Sequence, residues 1–245
     1  MITKSLETVR VPTVSTDGEH KLHKLGEGIS AYFPAGYGYR NYKPGLVAFF
    51  SKYRDSIQRV HVPPEYNIKN FKPTMEFLRF LVNHLDMAGF EGRIDVDLHT
   101  GHGIPLEQVE KYVQILNGYL EKAEKPSIRV SIENTKKSAL SSIDEIREFA
   151  RYIRTNKLGN VRLTVDTYHL GKVERTELNP LESLVHEMEE DGTLDLVSCL
   201  HTPPLKGISE MNDMKKIYGK MSCIVEENHL DRRERKKLKR RKIKA

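Results

Sequence analysis

Hydrophobic residues along the chain recur in two alternating rhythms. Short runs rich in Val, Ile and Leu, bounded by Gly, Pro, Asn or Asp, predict strands at 28–33, 58–62, 93–99, 127–133, 161–166, 195–201 and 222–227. Between them, apolar residues return every three or four positions. That spacing predicts helices at 43–57, 74–89, 105–123, 142–156 and 179–191, and a short one near 212–221. The 105–123 stretch shows it best, with Leu106, Val109, Val113, Leu116 and Leu120 on one face. Pro105 and Ser142 stand where helix N-termini are expected.

Strand–helix–strand units in series imply parallel strands joined by right-handed crossovers. The strands read as apolar on both faces, as buried parallel strands do. Two architectures satisfy this pattern, a barrel and a doubly wound open sheet. No glycine-rich phosphate loop follows the first strand, which weakens a dinucleotide-binding open sheet.

The polar residues at the strand ends separate the two. Strand after strand closes on a metal-ligand type: His61, His99, Glu133, Asp166, His201 and Glu226, at separations of 38, 34, 33, 35 and 25 residues. One such residue per unit, always at the carboxyl end, converges on one mouth only if the sheet closes. The expected fold class is therefore α/β, a (β/α) TIM-type barrel over residues 1–230. Seven strands are legible. An eighth lies at 8–15, or in a shortened unit after His201, or is absent, leaving an irregular barrel.

Each strand-end residue alone has a plain reading. A lone Asp or Glu commonly caps a helix, and a lone buried His is commonly a core residue. Six in matched positions point to a divalent-metal site. Mixed carboxylate and imidazole donors suit Zn best, with Mn or Co as alternatives, over Ca or Mg. His102 competes with His99 in HTGHG, and Glu227 with Glu226. Alternation along a strand turns only one of an adjacent pair inward.

Composition adds a localised charge. The formal net charge is +6, yet residues 231–245 hold ten Lys or Arg against two acids. The remaining 230 residues thus carry −2. A basic helical tail at 231–245 is expected, either a solvated end or a contact for nucleic acid. Lys136, Lys137, Lys172, Arg175 and Lys206 follow strand ends; they meet substrate phosphates or are ordinary loop charge. Two cysteines, no long apolar stretch and no signal-peptide run lead to the expectation of a cytoplasmic protein without a membrane span.

Taken together, these motifs resemble the endonuclease IV branch (AP endonuclease family 2) of the xylose-isomerase-like TIM-barrel superfamily. VHVPP, LHTGH, SIENT, VDTYHLGK, CLHTPPLKG and CIVEEN occur in that family's order, over roughly residues 58–228. The resemblance implies phosphodiester hydrolysis at abasic sites in DNA by a zinc cluster. His61, His99 and Glu133 would hold a first ion. Glu133 as bridge, with Asp166, His201 and Glu226, would hold a second. His169 would be a ligand of a third. The family's Asp–x–His pair is missing between His201 and Glu226, and the unit there is short. A two-metal site, or one metal at Glu133, Asp166, His201 and Glu226, is expected instead.

Three functions follow. The first is a metal-dependent phosphodiester hydrolase acting on DNA, with Glu133 and Glu226 catalytic and Lys172, Arg175 and Lys206 contacting substrate. The second is a single-metal sugar isomerase or epimerase on a small sugar, with the same two glutamates moving the proton. The third is a degenerate barrel without catalysis.

Overall fold

The computed structural model describes residues 6–10, 28–33, 43–123, 127–135, 137–166, 169–170, 187–202 and 222–225. Eight parallel strands run in sequence order through one sheet. They are β1 (Leu6–Arg10), β2 (Gly28–Tyr32), β3 (Ile57–His61), β4 (Arg93–His99), β5 (Ser127–Glu133), β6 (Val161–Asp166), β7 (Val197–Thr202) and β8 (Ser222–Val225). β8 returns beside β1, so the sheet curls into the expected α/β barrel. Among the described residues, four α-helices accompany it: α1 (Lys43–Lys52), α2 (Phe71–Met87), α3 (Leu106–Lys122) and α4 (Ile143–Thr155).

The eighth strand is β1, which overlaps the start of the 8–15 candidate. Two helix boundaries differ from expectation. α2 begins at Phe71 rather than 74, because Pro73 falls within the first turn, where a missing N–H breaks no helical bond. α1 stops at Lys52 because Tyr53 O takes both Ser56 N (2.9 Å) and Ile57 N (2.9 Å), a turn that feeds Ile57 into β3. Of the 179–191 helix, residues 187–190 are helical and most of the rest lies outside the described residues, as do the 212–221 helix and the 231–245 tail.

Local sequence explains the better-defined helices. Ser142 caps α4: its Oγ accepts from Glu145 N, while the Glu145 carboxylate accepts from Ser142 N, a reciprocal capping box. α4 then buries Ile146, Phe149, Ala150 and Ile153 on one side. α3 does the same with Val109, Val113, Leu116 and Leu120. These faces meet the outward residues of the strands, such as Ile94, Val96 and Leu98 of β4 and Ile128, Val130 and Ile132 of β5, all buried. The hydrophobic core is thus a layer between sheet and helices. After β4, Gly101 has φ +90, and a Cβ there would lie 2.8 Å from Asn67 Oδ1 and Lys69 Cβ. Glycine is required for this loop to press against 67–70.

The inside of the barrel corrects the reading of strands apolar on both faces. Arg59 on β3 donates to Asp97 on β4, to Thr164 on β6 (3.1 Å) and to Ser198 on β7 (2.8 Å). Strands three and four places apart meet this way only across the interior. Arg59 also donates to Asp95 (3.2 Å), and Ser131 Oγ lies 2.7 Å from Thr164 Oγ1 and 2.8 Å from Ser198 Oγ. Arg59 is 1% exposed and Asp97 fully buried. Burial opposes the Arg59 charge, yet the carboxylates of Asp97 and Asp95 outweigh it and raise its pKa. An ion pair buried this deeply is costly to break from one side, because the partner is left charged and unsolvated.

Replacing Arg59 with Met should therefore lower stability by about 3–5 kcal/mol in urea unfolding. Adding Asp97→Leu to that variant should restore most of the loss. Equal destabilisation of single and double variants would show that the network does not act as a unit.

Candidate metal centre

The carboxyl ends of β3, β4, β5 and β7 bring four of the strand-end residues together. Glu133, last in β5, is 2% exposed. Its Oε2 lies 3.4 Å from His61 Nε2 and 3.5 Å from His99 Nε2, while its Oε1 lies 3.3 Å from His201 Nδ1. The imidazoles crowd one another as well, with ring centroids of His61 and His99 5.2 Å apart and those of His61 and His201 5.5 Å apart. Register explains the convergence. His99 pairs with Glu133 across β4–β5, and Asp166 with His201 across β6–β7.

Asp166 and His169 form a second group beside the first. His169 N donates to Asp166 Oδ1 (3.0 Å), and His169 Nε2 lies 3.5 Å from Asp166 Oδ2. Asn134 clamps the Asp166 backbone from both sides: its Oδ1 accepts from Asp166 N (2.6 Å) and its Nδ2 donates to Asp166 O (3.1 Å). Of the HTGH pair, His99 faces Glu133. His102 is exposed, and its carbonyl accepts from Lys69 Nζ (2.8 Å). Lys137 is exposed, with φ 61, and takes no part in the contacts of the histidine cluster. Glu226, Glu227, Lys136, Lys172, Arg175 and Lys206 lie outside the described residues.

The charge balance of the cluster is tight. Burial pushes the Glu133 carboxyl up, but His201 and His99 override it and hold it well below the usual carboxylate range. Burial presses His61 toward neutrality, yet Glu133 leaves its pKa raised. In His99 burial wins over Glu133, and the pKa is lowered. Burial raises Asp166, with His169 opposing and the nearby Glu133 charge adding to the rise. Three imidazoles around one carboxylate cannot all be cationic without strong mutual repulsion, so neutral rings with open lone pairs are favoured.

The donor geometry fits an ion. Donors bound tetrahedrally at about 2.0–2.2 Å stand about 3.3–3.6 Å from one another. The separations of 3.3–3.5 Å around Glu133 match this and exceed the ~2.7–2.9 Å of a charge-assisted hydrogen bond. Donor atoms of His61, Glu133 and His201 lie within 4.8 Å of one another. Among the described residues, the buried Glu133 Oε2, His61 Nδ1 and His99 Nδ1 have no hydrogen-bond partner.

Sequence reading missed Asp97, Arg59 and Asp95 beneath the cluster. Asp97 acts on both His61 and His99 by raising their pKa values against burial. A signal for them was present. RIDVDLH, SIRVSIE and VRLTVD each place polar residues two apart, ending on the strand-end residue.

No protein-family model matches the chain, and no curated protein matches it. Solved structures do. The chain is similar to endonuclease IV from Thermus thermophilus, at 13% identity, 91% of each chain covered and a TM-score of 0.60. It is similar to a D-tagatose 3-epimerase-like protein, at 16% identity over 93% of this chain and 91% of that one, with a TM-score of 0.61. It also resembles 3-keto-D-glucoside 4-epimerase from E. coli, at 14% identity over 82% and 81%, with a TM-score of 0.55. Identities this low show the fold alone. Endonucleases and epimerases both appear among these xylose-isomerase-like barrels, so the likeness does not single out the endonuclease branch.

If the Glu133 charge is what holds His61 up, Glu133→Gln should drop the His61 pKa below its ordinary 6.5, because burial is then unopposed. Imidazole titration by NMR on metal-stripped protein reads this directly. An unchanged His61 midpoint would contradict the assignment.

Proposed function

We propose that the chain is a metal-dependent phosphodiester hydrolase of the endonuclease IV type, acting on DNA at abasic or damaged sites with two divalent ions, zinc the best fit. The observation that carries this reading is the division of Glu133. One oxygen faces the His61–His99 pair and the other faces His201. A carboxylate arranged in this way suits a bridge between two ions. A single-ion quartet of Glu133, Asp166, His201 and Glu226 would give His61 and His99 no part.

In this reading His61, His99 and Glu133 hold one ion, and Glu133, Asp166, His201 and Glu226 hold the other. Such ions supply Lewis acidity to a phosphoryl oxygen and lower the pKa of water beside them. The chain's own residues set the geometry. Glu133 stays ionised because its imidazole neighbours depress its pKa. Asn134 fixes the β6 terminus and so the position of Asp166. His169 holds Asp166 Oδ1 through its backbone N–H. Lys172, Arg175 and Lys206, with the basic residues 231–245, would neutralise the phosphates of the strand.

One observation favours a second reading. The structural likeness to epimerases is as close as the likeness to an endonuclease. A single-metal epimerase would use Glu133 and Glu226 as the proton-transferring pair on a small sugar.

Elemental analysis and an abasic-site duplex separate the two. We expect two ions per chain and metal-dependent nicking, lost at least about 100-fold in Glu133→Gln, since removal of a group acting in the transition state typically costs this much. We also expect nicking to weaken with salt, and less steeply once residues 231–245 are removed. One ion per chain, no nicking and epimerisation of a ketose would replace this reading with the second.

A further inference from the structure

The opposite end of the barrel holds a second cavity, of about 410 Å³, opening where the strands begin. Four arginines line it, each from a different strand: Arg59 on β3, Arg93 on β4, Arg129 on β5 and Arg162 on β6. Two acids, Asp95 and Asp195, share the lining. The cavity is far from neutral in its pairing. Asp95 is already bound by Arg129, through Nε (2.6 Å) and Nη2 (2.9 Å), and also accepts from Arg59. Arg162 donates to the carbonyls of Gly159 (3.1 Å) and Val161 (2.7 Å), and among the described residues it meets no carboxylate. Arg93 makes no side-chain ion pair or hydrogen bond among the described residues. Burial lowers the pKa of Arg162, and the charges of Arg129 and Arg93 lower it further, so these cations repel one another across the cavity.

Like charges gathered in a concave, partly buried site are unfavourable unless an anion offsets them. Guanidinium groups present forked donors that match phosphate oxygens, and a cavity of this size holds a small molecule rather than a polymer segment. We infer that the amino-terminal mouth of the barrel is a binding site for the phosphoryl group of a small molecule, held by Arg93 and Arg162 with Arg129 beside them. It is distinct from the Glu133 cluster, and the inference is independent of the chemistry proposed there.

Calorimetric titration of the full chain tests it, with pyrophosphate, inorganic phosphate and a sugar phosphate at matched ionic strength. We expect one site per chain. Arg93→Gln/Arg162→Gln should weaken it at least about tenfold, the effect of losing one charge-assisted contact. Arg93→Glu, an exposed substitution that leaves the interior untouched, should weaken it in the same direction. Lys236→Gln/Lys237→Gln should leave it unchanged. Tighter binding of the sugar phosphate than of pyrophosphate would identify a phosphorylated metabolite as the source, and the reverse order a free phosphate. Absence of binding at millimolar anion would overturn the inference. So would binding lost in the Lys236/Lys237 variant but kept in both arginine variants.

Discussion

The contact on which the interior depends is the ion pair between Arg59 and Asp97. Both side chains are sealed from solvent at the barrel axis. Neither could be buried alone, since an isolated charge in such surroundings is severely destabilised. Together they let β3 and β4 face polar groups inward, and the Ser131, Thr164 and Ser198 hydroxyls from β5, β6 and β7 complete the hydrogen bonding. The barrel is thus filled by a polar plug, while its apolar contacts are placed outside, between sheet and helices.

That plug separates two chemically opposite ends. Toward the carboxyl ends, Asp97 lies close enough to His61 and His99 to shift both. Above it stands one carboxylate among three imidazoles, a donor-rich set suited to cations. Toward the amino ends, Asp95 holds Arg59 and Arg129, and Arg93 and Arg162 add positive charge that these acids do not offset. Arg59 touches both halves, through Asp97 on one side and Asp95 on the other. The two strand residues Asp95 and Asp97 are one alternation apart, and that spacing sets which end each serves.

The barrel alone does not decide the reaction, because endonucleases and epimerases share this fold at similar likeness. The distinction rests on how one side chain is oriented. Glu133 turns its two oxygens toward different partners, and the His61–His99 pair occupies one of those sides. This arrangement follows from strand register, since β4 and β5 pair His99 with Glu133 directly.

Much of this was legible in the chain itself. The spacing of apolar runs located β2 to β8 and the amphipathic faces of α3 and α4, because period-two and period-3.6 patterns are local properties. The recurrence of a ligand-type residue at each strand end placed His61, His99, Glu133, Asp166 and His201 in one set. Other features were settled only in three dimensions. The choice of His99 over His102 depends on which residue ends the strand facing Glu133 and which lies in the Gly101 turn. The inward charge of Arg59, Asp95 and Asp97 escaped the reading of apolar strands, because a charge is expected at a surface unless its partner is known. Those partners lie as much as 139 residues away, as Ser198 does from Arg59. The order of residues determines which side chains alternate along a strand; only closure of the sheet brings the inward set of each strand within reach of the others.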